Sequence, residues 1–292
     1  MEGRLAGIIR KFKAGSKLRS MTRNLFSTPV PPADARIPYG SGQFHFGDLR
    51  IPRNAQGPHP VVMVIHGGFW RAKYDLEHIG HLCAALTDGG VATWSVEYRR
   101  IGNEGGGWPG TFQDVGAAAD HLRELAPEHN LDLGRVVVIG HSAGGHLALW
   151  VAGRHRIPEG IPLHTPNPLP VKAAVSLAGV ANLDMSWEMN LSNGVTEELM
   201  GGSPEEMPER YSVASPRELL PLGVPQALIH GTHDENVPYE ISEKYHVAAL
   251  AAGDKVELVT LPRAGHFEVI DPKMPEYRVV ADTVLWCVMR DA

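Results

Sequence analysis

Val136-Val137-Val138-Ile139-Gly140-His141-Ser142-Ala143-Gly144-Gly145-His146-Leu147-Ala148-Leu149-Trp150 decides how this chain folds. The first four residues are β-branched and apolar, a run suited to a buried strand. The residues after Gly145 have the Ala and Leu content of a helix. The G-x-S-x-G pentapeptide between them fits a sharp strand-to-helix turn, where glycine on either side of the serine lets the chain fold back. Such a turn lifts the Ser142 hydroxyl above the sheet and aims the free N–H groups of the helix start at developing negative charge. A glycine-rich turn with a capping serine is the plainer reading of the pentapeptide alone; the strand before it and the helix after it favour a nucleophile.

Upstream, Val61-Val62-Met63-Val64-Ile65 reads as a second buried strand and runs into His66-Gly67-Gly68-Phe69-Trp70. An acyl-transfer intermediate carries a full negative charge on oxygen and needs two or three fixed N–H donors. A glycine pair after a strand turns such donors outward with no Cβ in the way. The N–H groups of Gly68, Phe69 and Ala143 are the candidate oxyanion donors, with Gly67 supplying the turn.

Downstream, Ala227-Leu228-Ile229 opens into His230-Gly231-Thr232-His233-Asp234-Glu235, and Val256-Glu257-Leu258-Val259 precedes Ala264-Gly265-His266-Phe267. An acid held in a loop beyond a strand end can orient a histidine and stabilise its imidazolium. Asp234 is the candidate acid, with Glu235 as the alternative, and His266 is the candidate base. The order Ser142, Asp234, His266 matches that of α/β-hydrolases and differs from the chymotrypsin and subtilisin orders.

Across roughly residues 40 to 290 these segments resemble the α/β-hydrolase family. The HGG-aromatic-Trp loop, the GHSAGGHL turn and the HGTxDxxVP and GHF segments are similar to carboxylesterases related to hormone-sensitive lipase. The kynurenine formamidases, with an HGGYW loop, are closer still. The resemblance implies an α/β fold with a mostly parallel sheet flanked by helices and a small cap insertion. It implies a serine hydrolase with Ser142, Asp234 and His266 as nucleophile, acid and base. The substrate is expected to be a short-acyl carboxylic ester, with an aryl formamide as the alternative. A silent member of the fold used as a binding protein is the reading from another class. Phe69 stands where the formamidases have Tyr and many esterases have Gly, which bears on acyl-pocket shape.

The chain has 292 residues, 43% hydrophobic and 21% charged, an ordinary globular balance for which one α/β domain suffices. Its net charge of −6 gives no nucleic-acid footprint, and no apolar stretch is long enough to span a membrane. Cys83 and Cys287 are the only cysteines, which fits a reducing, cytoplasmic setting. Residues 1–25 carry seven basic side chains against Glu2, +6 in all, which leaves −12 for the remainder. With Leu5, Ile8, Ile9, Phe12 and Leu18 at near-helical spacing, this segment reads as a docked surface helix or a disordered tail. Contact with an anionic membrane and an organelle transit-like segment are the less favoured options, and the sequence leaves the oligomeric state open.

Residues 1–36 are read as a basic extension and Pro-rich linker, and residues 37–292 as the hydrolase domain. Strands are expected over 43–51 and 91–98, and helices over 76–87 and 113–125. Strands alternating with helices argue for a parallel sheet, whose ligands bind beyond the carboxyl ends of the strands. Residues 156–170, with five prolines, and residues 184–221, with one short helix near 197–200, are expected cap insertions over the pocket. Trp70 and Trp108 are candidate substrate-binding aromatics, with core packing as an equal alternative. Asp184 reads as a loop-capping aspartate. His78 and His81 lack a nearby third ligand, so no metal is expected, and no cofactor motif is present.

Overall fold

The computed structural model describes residue 25 and residues 27–289. The basic helix or tail expected within residues 1–25 therefore lies, except for Leu25, outside the described residues.

The described strands are β1 (Ala35–Pro38), β2 (Phe46–Arg50), β3 (His59–Ile65), β4 (Ala92–Val96), β5 (Leu131–His141), β6 (Ala173–Leu177), β7 (Gln226–Gly231) and β8 (Val256–Leu261). They form one sheet in the order β1-β2-β4-β3-β5-β6-β7-β8. β2 is antiparallel to β1 and β4, and the pairs from β4 through β8 are parallel. The helices are α1 (Gly80–Asp88), α2 (Gly110–Asp120), α3 (Leu122–His129), α4 (Ala143–Gly153), α5 (Leu183–Glu188), α6 (Val195–Met200), α7 (Pro208–Ala214), α8 (Tyr239–Ala251) and α9 (Glu276–Met289).

Strand periodicity divides the core into two layers. Val61, Met63 and Ile65 of β3 and Val136 and Val138 of β5 face a layer shared with Leu147, Trp150 and Val151 of α4. Val62, Val64, Val137 and Ile139 face the opposite layer, with Leu82, Cys83 and Leu86 of α1 and Val279, Val280 and Val284 of α9. Successive side chains of a strand point to opposite faces, so a central parallel strand with helices on both sides must be apolar throughout. That requirement is why β3 and β5 read as unbroken Val/Ile/Met runs.

Several boundaries differ from expectation for local reasons. The body begins at β1, two residues before Ile37, and the expected 43–51 strand is the shorter β2. The 76–87 helix opens with a 3-10 turn, Leu76–Ile79, capped by Asp75, before α1 begins. The 113–125 helix is two helices that meet at His121, the second of which carries Pro127 within it. Residues 184–221 hold α6 and α7 and most of α5; helices of six or seven residues are too short to show periodicity. Among the described residues no helix is long and apolar enough to cross a membrane.

The sheet and α4 meet too closely for any side chain at Gly144. A Cβ there would lie 2.1 Å from the Ile65 carbonyl oxygen and 2.6 Å from that of His66. Both obstacles are backbone at the end of β3, so neither can rotate away. Gly144→Ala is expected to destabilise the fold by about 3 kcal/mol or more, read as a large fall in the urea midpoint.

Candidate active site

Each expected catalytic residue sits just beyond the carboxyl end of a strand. β5 ends at His141 and α4 starts at Ala143, so Ser142 alone makes the turn. Its φ of +58° and ψ of −121° are costly for a non-glycine residue. The turn is held by the Ser142 N–H donating to Leu177 O on β6 at 2.8 Å. The Ser142 side chain makes no cap hydrogen bond, so the capping role does not apply. Ala143 is the first residue of α4, and its N–H is among the four that a helix leaves without an internal acceptor.

Asp234 follows β7 and His266 follows β8. His266 Nδ1 donates to Asp234 Oδ2 at 2.7 Å, and His230 Nε2 lies 3.3 Å from the same oxygen. Asp234 Oδ1 accepts from the N–H groups of Asn236 and Val237 at 2.8 and 2.9 Å. Burial pushes the Asp234 carboxyl toward a higher pKa, but the hydrogen bonds from His230 and His266, the proximity of His266 and the Val237 N–H outweigh it. The carboxyl is held well below the usual range. Glu235, the alternative acid, is exposed.

A depressed carboxyl adds stability above its unfolded-state pKa of about 3.9. That contribution fades as pH falls from there toward the folded value. Urea unfolding at pH 5 and pH 3 is expected to show a smaller loss of stability in Asp234→Asn than in the unaltered chain.

The loop after β3 carries three successive positive φ angles: Gly68 at +110°, Phe69 at +52° and Trp70 at +54°. Among the described residues no protein group accepts from the N–H of Gly68 or Phe69. Ser142, His266, Gly68 and Phe69 border one cavity of about 640 Å³, together with Tyr74, His78, Asn236 and Phe267. The arrangement places a hydroxyl, a carboxylate-bound imidazole and free N–H groups around one space, the parts that acyl transfer requires.

A family model described as BD-FAE matches residues 48–248. The chain belongs to the BD-FAE family. Among curated relatives of this BD-FAE chain, a probable isoprenylcysteine alpha-carbonyl methylesterase from Oryza sativa subsp. japonica is 28% identical over 79% of the chain. The chain spans only 57% of that relative's length. Kynurenine formamidase from Danio rerio is 23% identical over 95% of the chain and 86% of its own length. Among solved structures, a truncated carbohydrate esterase from gut microbiota superposes with a TM-score of 0.76 at 22% identity, covering 89% of this chain and 99% of that one. The architecture is the α/β-hydrolase fold.

Two expected substrate contacts of this BD-FAE chain lie elsewhere. Trp70 is 0% exposed and packs edge-on against His146 in the core, beneath the loop. Trp108 packs against Phe112 and under Arg210, outside the cavity at Ser142. Trp70 thus follows the core reading, while Trp108 is half-buried at the edge of the core. Residues 156–170 and 184–221 also stay off this cavity, so neither expected cap insertion borders it. Its outer wall comes instead from Leu25 and Ser27–Val30, within the stretch expected to precede the hydrolase body.

That wall is pinned. His81 Nε2 donates to Thr28 O at 3.1 Å, Arg50 Nη2 donates to Pro31 O at 3.0 Å, and Val30 fills the space that a side chain at Gly80 would need. His81 thus has a structural duty, and among the described residues no cluster of three or more His, Cys, Asp or Glu side chains could hold a metal.

The sequence reading also missed the support beneath the Gly68–Phe69 loop. His66 Nδ1 pairs with Gly67 O at 2.8 Å, and its Nε2 pairs with Glu97 Oε1 at 3.0 Å. Glu97 also accepts from the N–H groups of Tyr98 and Leu76 and faces Arg100 at 3.1 Å. A buried acid following β4, with Tyr and Arg behind it, was the signal available at Glu97-Tyr98-Arg99-Arg100.

Proposed function

We propose that this chain is a serine hydrolase that cleaves short-acyl carboxylic esters by two-step acyl transfer. The observation that carries this reading is the strained Ser142 turn opening on the same cavity as His266 and the Gly68–Phe69 loop. Ser142 attacks the ester carbonyl while His266 takes its proton, and Asp234 holds the ring and offsets its charge. The N–H groups of Gly68, Phe69 and Ala143 take the oxyanion. His266 then protonates the leaving alkoxide and activates the water that releases the acid. The esterase and formamidase names of the curated relatives support this reading over that of a silent binding protein.

A short acyl group is favoured because Phe69 lies beside the oxyanion donors on the cavity wall. Trp70 no longer contributes to that preference, being buried under the loop. A second reading, arylformamidase, draws support from the formamidase relative that spans nearly the whole chain and from Phe69, Tyr74 and Phe267 around the cavity. The test compares kcat/KM for p-nitrophenyl esters from acetate to decanoate with that for N-formylkynurenine. A maximum among the short esters supports the proposal, a far larger formamide value selects the second reading, and a maximum at octanoate or longer overturns the short-acyl preference. A cytoplasmic setting fits Cys83 and Cys287, both buried and neither joined in a disulfide.

The pinned wall gives a separate expectation. Removing residues 1–31 is expected to raise the decanoate-to-acetate ratio of kcat/KM about tenfold by opening the cavity. An unchanged ratio in a truncated chain of normal melting temperature means that this segment does not limit substrate length.

A further inference from the structure

The second residue of G-x-S-x-G is free to vary as far as the turn is concerned, yet His141 is 0% exposed and lies between the Ser142 turn, Gly67 and His266. Its backbone precedes Ser142. A Cβ on Gly67 would lie 2.7 Å from its carbonyl oxygen and 3.3 Å from its Nδ1. Its ring lies 4.5 Å from that of His266, and its Nε2 is 2.8 Å from the His266 carbonyl oxygen.

We propose that His141 is a positioning residue that sets the separation of Ser142 and His266, with His78 fixing its tautomer. This rests on the hydrolase reading above. The roles follow from what each atom can do. A carbonyl oxygen only accepts, so His141 Nε2 carries the hydrogen. In a neutral ring Nδ1 is then an acceptor, and His78 Nε2, 2.8 Å away, is its donor. Burial, and then the neighbouring His266 and His78, disfavour the charged form of His141, while burial brings His78 down to about 3. Neutrality suits the site, because a cation beside His266 would oppose the imidazolium formed in each step.

The base loop is tied firmly on its acid side. His233 N–H donates to Ala264 O at 2.9 Å, Arg263 N–H to Thr232 Oγ1 at 3.0 Å, and His266 itself to Asp234. Those ties fix His266 relative to β7, not relative to the nucleophile. The bond from His141 runs from the end of β5 to the residue that must take the Ser142 proton. Its loss leaves the triad assembled but lets the base drift, and small displacements are costly in a proton transfer.

The experiment compares His141→Leu, which keeps bulk without a donor, with His141→Gln, whose amide nitrogen reaches the place of Nε2. On p-nitrophenyl acetate, His141→Leu is expected to lose about 10- to 100-fold in kcat with KM within about twofold, and His141→Gln to recover to within about threefold. Equal activity of the two variants at equal melting temperature overturns the proposal. If His141→Leu does not fold, 15N NMR of the unaltered protein decides: a neutral His141 protonated at Nε2 supports the proposal, and the Nδ1–H tautomer overturns it. If the unaltered chain turns over no ester or formamide, the hydrolase reading fails; if it is active while the His141 variants match it, only the positioning role is lost.

Discussion

Ser142→Ala lowers kcat on p-nitrophenyl acetate on the order of a hundred-thousandfold, while the melting temperature stays within a degree or two. The size of the loss follows from removing the atom that forms the acyl bond. What remains is slow attack by water on an ester held against the loop N–H groups. Stability is preserved because the hydroxyl caps nothing in the fold: α4 takes no hydrogen bond from it, and the turn is held by the Ser142 backbone N–H on Leu177. The strained φ of +58° is equally present in the alanine variant. Hydrolysis above background in this variant would falsify Ser142 as the nucleophile.

Asp234→Asn lowers kcat by roughly 10³- to 10⁴-fold with little effect on KM. An asparagine can present its NH₂ where Oδ2 now accepts from His266 Nδ1. The ring then has to accept at Nδ1 and carry its hydrogen on Nε2, the wrong tautomer for taking the serine proton. The remaining amide oxygen still receives the N–H groups of Asn236 and Val237, so the loop keeps its shape. Glu235→Gln serves as the control, since Glu235 points to solvent, and it is expected to retain nearly full activity. Greater damage from Glu235→Gln than from Asp234→Asn sinks this assignment of the acid.

The sheet and the placement of Ser142, Asp234 and His266 were legible because buried parallel strands and glycine-flanked turns leave local marks. A strand packed on both faces is apolar along its buried middle, and Val61–Ile65 of β3 and Val136–Ile139 of β5 are. Less legible was anything decided by which face of a short element meets another. Trp70 follows the loop glycines and reads equally as a pocket or a core residue, and it is the left-handed run through Gly68 and Phe69 that turns it under the loop into the core. Val30 meets Gly80 and Thr28 meets His81 across about fifty residues, and no periodicity within a Pro-rich stretch announces such a fit. The Glu97 carboxylate is likewise defined by its partners His66, Leu76 and Arg100, which only the folded chain gathers.

The outer wall made by Leu25 and Ser27–Val30 has a consequence for how this scaffold diversifies. In a hydrolase whose lid is threaded between two strands, every change of lid length pulls on the sheet and on the loop that bears the acid. Here the wall immediately precedes β1, the edge strand of the sheet, and is threaded between no two strands. Selection or a designer can rewrite those few residues, or graft another segment in their place, as one changes the bit on a fixed handle.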